Sequence, residues 1–356
     1  MKRTVIFLCA FCAVISFGFA GKGFAADAAK AEKPYYEEEQ VFEFNADKHP
    51  SNHASTIAQM PNGDLLATWF GGAKEGMPDV AIWTSRKSAK NKSWTKPSVL
   101  IDEPGVPEGN SLLFTDSKGV VWLFFVRKYD PKWDAWDKTY LYVQTSKDGG
   151  VKWTAPRKLQ DKMGWMVRNN VTELPGGRLL LPIYLDSSPM QCMLWLSKDG
   201  FKTWEEKRVP LTKPESSQPT FVWLGGEKLL MMARNKGIQG KIWSASSDDL
   251  GGDWYDVKKT KLSNPDSGIN MIRLKSGAIV LAYNDSGFYR TPLTIALSED
   301  GGKTWPYRKN IETDKKEYSY PFMIQTKDGR VHLVYTADDR RIIKHAEFNE
   351  AWLRSK

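Results

Sequence analysis

The chain has 356 residues, of which 41% are hydrophobic and 12% aromatic, and 15 of them are Trp. This composition is that of a folded protein and excludes an intrinsically disordered one. The formal charge of +9 falls to +6 without the first 26 residues, which hold Lys2, Arg3 and Lys22. That remainder is mild and scattered, so it does not indicate nucleic-acid binding, and it suits an anionic ligand better than a cationic one.

The N-terminus has the layout of a secretory signal peptide. Lys2 and Arg3 precede an apolar run over residues 4–19, and small residues up to Ala26 offer cleavage sites. The run is shorter than the roughly 20 residues that a membrane-spanning helix needs. We predict a signal peptide over residues 1–26 and a mature domain over residues 27–356 with no stable membrane span. The protein is then exported, to a periplasm or to the extracellular space.

Cysteine and histidine are scarce in the mature domain. Cys192 is its single cysteine, so an intrachain disulfide is excluded. The four histidines show no pairing at the spacing of zinc ligands. The sequence therefore predicts no metal and no cofactor.

A short motif, Ser-x-Asp-x-Gly-x-x-Trp, recurs along the chain. Its four clear copies occupy residues 146–153, 197–204, 247–254 and 298–305, and they begin 51, 50 and 51 residues apart. In the copy at 197 the glycine is shifted by one place. An Asp that accepts backbone N–H bonds, a Gly in a left-handed conformation and a Trp that covers the corner together indicate a hairpin turn. The motif predicts fold and is silent on activity.

A second repeat is a glycine turn followed by a strand of alternating apolar residues. Its six copies are residues 65–70, 120–126, 179–184, 229–233, 279–283 and 331–335. Short strands with turn chemistry between them are typical of propeller blades of four antiparallel strands. We therefore predict an all-β fold, a six-bladed β-propeller. Residues 36–48 supply the strand that closes the last blade.

The register of this repeat predicts which residues meet at the propeller axis. Each innermost strand should begin about nine residues before the turn glycine, near Ala54, Asn110, Arg168, Ser217, Gly268 and Tyr320. The polar residues expected at the axial face are His53, Asn110, Arg127, Arg168, Asn169, Gln218, Arg234, Asn284, Glu317, Tyr318 and Tyr320. Several Arg that face one funnel repel each other unless an anion or carboxylates lie between them.

With these repeats, the chain resembles sialidases and the wider sialidase-like superfamily with Asp-box repeats, from about Asn52 to Phe348. The resemblance implies an arginine clamp for a substrate carboxylate, a nucleophilic Tyr with a Glu partner and a loop Asp as acid/base. Position by position, it implies Arg234 and Arg290 for the clamp, Tyr318 for the nucleophile and Asp79 for the acid/base. Arginines beside Tyr318 would lower the pKa of its phenol.

Two positions depart from the pattern of the resembled family. His53 stands where the first Arg of the clamp is expected, and Gln218 stands where the activating Glu is expected. A Gln cannot act as a base. Glu317 is a candidate substitute, although adjacent residues on a strand point to opposite faces. Arg168, from another blade, is the candidate for the missing clamp member.

The leading functional prediction is an exo-acting, sialidase-like glycosidase that cleaves a terminal acidic sugar from a glycan. Its predicted catalytic residues are Tyr318, Asp79, Glu317 and His53, and its predicted substrate-binding residues are Arg234, Arg290, Arg168, Gln218, Asn110, Asn284 and Tyr320. Two alternatives stay open at this stage. One is a lyase or hydrolase of another uronic-acid glycan, in which His53 would abstract a proton, and the other is a non-catalytic glycan-binding propeller.

Overall fold

The six glycine turns are each followed by the second strand of a separate antiparallel sheet, as predicted. The computed structural model describes residues 32–130, 132, 135–210 and 216–356, and residues Lys33–Lys356 form one compact unit. The predicted signal peptide lies outside these ranges. None of the helices within the described ranges has the length and apolar character needed to cross a bilayer.

The first three sheets follow one another along the chain, each with its strands in sequence order from the axis outward. Blade 1 contains β2 (Ser51–Gln59), β3 (Leu65–Gly72), β4 (Ala81–Lys87) and β5 (Ser98–Ile101). Blade 2 contains β6 (Glu108–Thr115), β7 (Val121–Lys128), β8 (Thr139–Ser146) and β9 (Arg157–Lys158). Blade 3 contains β10 (Trp165–Met166), β11 (Thr172–Leu174), β12 (Arg178–Leu185), β13 (Gln191–Ser197) and β14 (Glu205–Arg208).

The last three sheets complete the ring. Blade 4 contains β15 (Ser216–Gly225), β16 (Lys228–Asn235), β17 (Gly240–Ser247) and β18 (Tyr255–Asn264). Blade 5 contains β19 (Asn270–Arg273), β20 (Ile279–Asn284), β21 (Leu293–Ser298) and β22 (Tyr307–Glu312). Blade 6 contains β23 (Ser319–Gln325), β24 (Val331–Ala337), β25 (Ile342–Phe348) and β1 (Tyr36–Gln40). The helix α1 (Glu350–Arg354) follows β25. The prediction of a six-bladed, all-β propeller is confirmed.

Blade 6 is closed by the N-terminal strand, as the sequence predicts, although the strand is shorter than residues 36–48. β1 pairs antiparallel with β25, with Glu39 opposite His345. The Glu39 carboxylate accepts hydrogen bonds from the Trp94 indole at 3.0 Å and from the Lys87 ammonium. The ring is thus closed by main-chain pairing inside blade 6 and by an ionic contact to blade 1.

The blades pack against each other through their apolar faces. Trp69, Phe124 and Trp195 are fully buried on the second and third strands of their sheets. Phe124 meets Phe201 of the next blade edge to face, with ring centroids 5.5 Å apart. Burial of such large side chains stabilises the fold through the hydrophobic effect, without the help of a disulfide.

The Asp boxes are the hairpin turns between the third and fourth strands, as predicted. In each clear copy the Ser is the last residue of the third strand, namely Ser146, Ser197, Ser247 or Ser298. The Asp300 carboxylate accepts N–H bonds from Lys303 at 3.0 Å and Thr304 at 2.8 Å, and the Ser298 hydroxyl donates to it at 2.8 Å. Although burial raises the pKa of Asp300, these hydrogen bonds outweigh it and hold the pKa at about 2.

Replacing this turn carboxylate should therefore destabilise the fold. We expect Asp300→Ala to lower the free energy of unfolding by about 0.5–1.5 kcal/mol, because the backbone N–H groups of this exposed turn exchange their carboxylate acceptor for water. Asp253→Ala is the control. Asp253 lies in another turn of the same kind, and none of the described residues donates a hydrogen bond to its carboxylate. Urea unfolding followed by tryptophan fluorescence measures both. The wild-type contribution disappears as pH falls from about 4 to 2, because the folded-state pKa is depressed, and equal stability of the two variants would contradict the assignment.

Four innermost strands begin with a bulge that changes the side-chain alternation. The pairing register shifts at the start of β2, β6, β15 and β23. At each shift one non-glycine residue is left-handed, with φ between 44° and 55°, namely Ala54, Asn110, Gln218 and Tyr320. Such conformations cost of order 1–3 kcal/mol and persist only where the surroundings enforce them. Each bulge places one side chain at the axial end of its blade.

Blade 3 differs from this pattern. An innermost strand beginning near Arg168 is predicted, but the strand is interrupted there, with β10 ending at Met166 and β11 starting at Thr172. The interruption frees the side chains of Arg168, Asn169 and Asn170 to hydrogen-bond across the axis. The strand thus begins near Arg168 as predicted, and the interruption, which depends on the axial hydrogen bonds of these residues, is the feature that the repeat does not predict.

Candidate functional site

Tyr320 lies at the centre of the axial face where the starts of the innermost strands and the ends of the second strands converge. Its side chain is 8% exposed. Its hydroxyl lies 2.6 Å from Arg234 Nη1 and 3.2 Å from Gln218 Nε2, both of which donate to it. Burial opposes ionisation of the phenol, but Arg234 and then Arg290 outweigh it and hold the pKa of Tyr320 below its usual value. By contrast, burial raises the pKa of the neighbouring Tyr184 phenol.

Three arginines surround this phenol, namely Arg234 near the end of the second strand β16, and Arg290 and Arg340 in the loops that follow the second strands β20 and β24. The guanidinium carbons of Arg234 and Arg290 each lie 5.6 Å from the centroid of the Tyr320 ring. Arg340, in the loop between β24 and β25, is bonded through the Glu317 carboxylate to Arg290, at 3.2 Å and 2.8 Å respectively. Arg234 and Arg290 are thus brought together as predicted, and the third arginine comes from blade 6.

Carboxylates are interleaved with these guanidinium groups. Asp266 Oδ1 accepts from Arg234 Nε at 2.7 Å, and Glu75 Oε2 accepts from Arg340 Nη1 at 2.5 Å. Although burial raises the pKa of Glu317, Arg290 and Arg340 outweigh it and hold the pKa below its usual value. Three positive and three negative groups therefore alternate, so the arginines are pre-positioned without mutual repulsion.

The predicted site residue His53 lies against Tyr320 but does not reach its hydroxyl through any hydrogen bond in the structure. The two ring centroids are 4.2 Å apart, and His53 Nδ1 is 2.9 Å from the Thr336 hydroxyl. Burial first, and then the positive charges of Arg340 and Arg290, hold the pKa of His53 well below its usual value. His53 is therefore a neutral imidazole that packs on the tyrosine.

Tyr318 is not brought together with the arginines, which corrects the residue-by-residue expectation. It precedes β23, and its backbone N–H and C=O bond Arg290 O and Asn284 Nδ2. Burial, and then Glu312 and Asp314, raise the pKa of Tyr318. The bulge between Ser319 and Phe322 is the physical reason, because it turns the side chain of Tyr320 toward the axis.

Several other predicted residues have structural partners. Arg168 donates to backbone carbonyls beneath Tyr320 and is 1% exposed, so it does not occupy the place of an open clamp member. Asn284 Nδ2 is held by the Pro292 and Tyr318 carbonyls, and Asn169 Nδ2 by those of Gln218 and Pro219. Glu317 accepts from Arg290, Arg340 and Ser319 rather than from a tyrosine.

Arg127, expected at the axial face, belongs to a separate ion pair. It lies opposite Glu108 in the ladder and donates to it at 3.2 Å, one residue beyond the position equivalent to Arg234. Since successive residues of a strand face opposite ways, that single step turns the Arg127 side chain away from the axis. Burial raises the pKa of Glu108 to about 7.

The predicted Gln218 and Asn110 do lie in the axial cluster, together with a tyrosine that the sequence analysis missed. Tyr184 Oη accepts from Asn110 Nδ2 at 2.9 Å and from Gln218 Nε2 at 3.4 Å. Gln218 Oε1 in turn accepts from Arg234 Nη1 at 3.1 Å. Gln218 therefore connects the two phenols to the arginine cluster. Tyr184 is the penultimate residue of the second strand β12, a position whose polar side chains could have been collected from the repeat register.

Arg340, Glu75 and Asp266 were also missed. They lie in loops one or more residues beyond the strand ends, where the repeat provides no register. Asp338, Asp339 and Arg340 are three consecutive left-handed residues, and the Arg340 carbonyl accepts from Asn52 N at 2.6 Å. The run Ala-Asp-Asp-Arg-Arg directly after the sixth repeat strand is the signal that could have indicated this turn.

Asp79 lies in the loop between β3 and β4, as predicted. Its carboxylate is exposed, and Oδ2 accepts from Ala73 N at 2.7 Å. The same loop carries Glu75, which contacts Arg340 of the cluster, and its last residue, Val80, accepts from Glu108 N at 3.0 Å. The loop is thus fixed at both ends beside the cluster. Within the described ranges, three or more His, Cys, Asp or Glu side chains are nowhere grouped as metal ligands.

Comparison with known proteins agrees with this architecture. A family model described as BNR repeat-like domain matches residues 63–333. The chain belongs to the BNR repeat-like domain family. This BNR-repeat protein is 24% identical to a sialidase of Micromonospora viridifaciens over 90% of its own length and 55% of that protein. It is 23% identical to a sialidase of Bacteroides fragilis over 86% of its length and 64% of the relative.

The chain therefore spans between about half and two thirds of these curated relatives. Among solved structures, the Hadza microbial sialidase Hz136 superposes with a TM-score of 0.73 at 17% sequence identity. That match covers 87% of the BNR-repeat protein and 68% of the other chain. This likeness confirms the sialidase-like propeller fold. The match of the family model, together with the sialidase relatives, confirms the predicted resemblance to the sialidase-like superfamily with BNR repeats.

Proposed function

We propose that this BNR-repeat protein is an exo-acting glycoside hydrolase of sialidase type, with Tyr320 as its nucleophile, that releases a terminal acidic sugar from a glycan. The observation that carries the proposal is the Tyr320 hydroxyl, 2.6 Å from Arg234 Nη1 in a cluster of guanidinium groups. A phenol is a poor nucleophile until its proton is lost, and cations are a means of favouring that loss. The signal-like N-terminus supports an activity outside the cytoplasm.

Two steps account for the reaction. The Tyr320 phenolate attacks the anomeric carbon while the bond to the leaving oxygen breaks and Asp79 donates a proton to that oxygen. Asp79, now a carboxylate, then takes a proton from water, the water oxygen bonds to the anomeric carbon, and the bond to Tyr320 breaks. Two displacements at one carbon retain its configuration. A Tyr nucleophile replaces the carboxylate of most glycosidases, as in sialidases.

Gln218 determines how Tyr320 enters this reaction. Its amide nitrogen donates to the phenol at 3.2 Å, and an amide cannot accept the phenol proton. The proposed route therefore has Tyr320 lose its proton before the sugar is attacked, since Gln218 cannot take that proton during the attack. Donation from Gln218 and Arg234 stabilises that phenolate.

An acidic sugar fits the donors that the cluster leaves open. Arg234 Nη2, Arg290 Nε and Arg340 Nη2 have no hydrogen-bond partner in the part of the chain that the structure describes. The three side chains are 9%, 22% and 26% exposed, so a ligand carboxylate can reach the cluster from solvent. Planar guanidinium groups suit a carboxylate because they bond both of its oxygens.

A panel of aryl glycosides tests this proposal. Sialosides, uronides and neutral glycosides are incubated with the purified mature chain, and the configuration of the first product is followed by NMR. We expect release of an acidic sugar with retained configuration. An unsaturated uronate formed from a polyuronate, whose 4-O-linked sugar can leave by elimination, would instead identify the lyase alternative, and binding of acidic glycans without turnover of any of them would identify the non-catalytic one.

Asp79 provides a separate test of the proton donor. We expect Asp79→Asn to lower kcat/KM on an alkyl or sugar aglycone by about 10²–10⁴-fold, because the leaving oxygen is no longer protonated. On an aryl glycoside with an acidic phenol as leaving group, the loss should be small for the first step. Asp314→Asn, an exposed acid of another loop, is the control. Equal losses on both kinds of leaving group would contradict the role of Asp79 as general acid.

A further inference from the structure

Arg168 is a fully buried cation for which the described residues offer no carboxylate partner. Its side chain is 1% exposed in the interruption of the blade 3 inner strand. Its Nη1 and Nη2 each lie 3.2 Å from Ser55 O, and Nη2 lies 2.6 Å from Tyr320 O and 3.4 Å from Pro321 O. Burying an unpaired charge is costly, so this arrangement requires a compensating interaction.

The aromatic rings above and beside the guanidinium supply part of that compensation. The carbon Cζ of Arg168 lies 5.2 Å from the centroid of Tyr320 and 5.7 Å from that of Phe322. A cation within about 6 Å of a ring face is attracted by its π electrons, more strongly when water is excluded. A negative charge on the Tyr320 ring would convert this attraction into a buried ion pair.

We propose that Arg168 is a positioning residue for Tyr320, clamping its backbone in the left-handed conformation and supplying a buried countercharge beneath its ring. The clamp joins three segments of chain, because Ser55 lies in blade 1, Tyr320 and Pro321 in blade 6, and Arg168 in blade 3. Tyr320 has φ of 53°, a strained value for a bulky aromatic residue. The short bond to its carbonyl offsets that strain and fixes the direction of the phenol.

Other groups that face Tyr320 also affect its charge, so the test must separate Arg168 from them. They are His53 on β2, Glu75 of the β3–β4 loop, Tyr184 on β12, Gln218 on β15, Arg234 on β16, Asp266, Arg290 of the β20–β21 loop, Glu317 and Arg340 of the β24–β25 loop. Arg168 differs from all of these because it contacts the backbone and the buried side of the ring.

The experiment titrates Tyr320 directly. The ultraviolet difference spectrum of tyrosinate is recorded against pH for the wild type and for Tyr320→Phe, and the difference between them reports on this phenol. We expect Arg168→Met to raise the midpoint by about one pH unit, a tenfold change in the ionisation constant. Arg168→Lys keeps the charge and loses the planar contacts, so its midpoint should stay close to that of the wild type. Arg273→Met, which removes an exposed guanidinium bonded to carbonyls, is the control.

Turnover supplies the second readout, which rests on the proposed function. Arg168→Met should lower kcat by about 10²-fold, leave KM nearly unchanged and move the acidic limb of the kcat profile upward, since the nucleophile is less ionised and less well oriented. Arg168→Lys should lower kcat without moving that limb. If Arg168 only supported the fold, its substitution would change the midpoint of thermal unfolding, but neither the tyrosinate titration nor the pH dependence of kcat.

The outcomes are distinct. A folded Arg168→Met protein whose Tyr320 titrates as in the wild type would overturn the proposal. If that variant does not fold, Arg168→Lys decides, because wild-type kcat in it would exclude the clamp. If the wild type hydrolyses none of the glycosides, the proposed function fails, and the tyrosinate titration still decides the role of Arg168.

Discussion

Tyr320→Phe is expected to abolish glycoside hydrolysis, with a loss of at least about 10³-fold in kcat, because removal of the proposed nucleophile eliminates the covalent route. The missing hydroxyl also leaves Arg234 Nη1 with only Gln218 Oε1 as its acceptor. Substrate binding should persist, since the open nitrogens of the arginine cluster remain. Steady-state kinetics, together with equilibrium binding of an acidic sugar, measures both effects.

Tyr318→Phe is the matched control, because it removes the same atom two residues earlier in the chain. Tyr318 is contacted through its backbone by Arg290 and Asn284, and the substitution leaves those bonds intact. We expect kcat within a few-fold of the wild type. If Tyr318→Phe inactivates the enzyme and Tyr320→Phe does not, the nucleophile has been assigned to the wrong tyrosine.

The pH profile of the wild type gives an independent check on the same residue. Because Arg234 and Arg290 favour the phenolate against the effect of burial, kcat on an aryl glycoside with an acidic phenol, which needs no proton from Asp79, should rise with pH and level off below the usual pKa of a tyrosine. Gln218 takes no proton, so this acidic limb reports on Tyr320 rather than on a neighbouring base.

The propeller was predictable from the sequence because its signals are local and repeated. Each glycine turn and each Asp box is determined by a few adjacent residues, and their common spacing fixes the number of blades. The interruption at Arg168 was not predictable in this way, because it depends on hydrogen bonds to Ser55 and Tyr320 in other blades. A repeat pattern carries no information about contacts across the axis.

The choice between the two tyrosines shows where a local motif is weaker than spacing. The Tyr-Ser context indicates Tyr318, whereas the nine-residue spacing to Gly329 indicates Tyr320, and the structure places Tyr320 among the arginines. The bulge at the start of β23 explains this, because its left-handed residue breaks the simple alternation of side chains. Neither a local motif nor the repeat spacing predicted Arg340, because its position depends on a strained turn and on contacts with Glu75 and Glu317.

Arg340 should determine whether the site accepts an acidic sugar. We expect Arg340→Met to lower kcat/KM for an acidic glycoside by about 10²–10³-fold, the range that loss of one partner of a partly buried charge pair produces. For the amide of the same glycoside, which carries no negative charge, the loss should be much smaller. Kinetics on the acid and amide pair measures this discrimination directly.

Two further variants separate recognition from structure. Arg341→Met removes the adjacent and more exposed guanidinium, whose side chain is 54% exposed, and should leave both substrates unaffected. In Arg340→Met, the Glu75 carboxylate loses its arginine partner. Combining Arg340→Met with Glu75→Gln removes that unpaired charge, and we expect the loss of activity on the acidic glycoside to remain. If the single variant loses activity equally on acid and amide, Arg340 orders the cluster without binding the substrate carboxylate. Arg340 already has Glu317 and Glu75 as partners. A loss of activity on the charged substrate alone would therefore show that the open Nη2 of Arg340 binds the substrate carboxylate. Arg340 would then take the role of the clamp arginine whose position is occupied by His53.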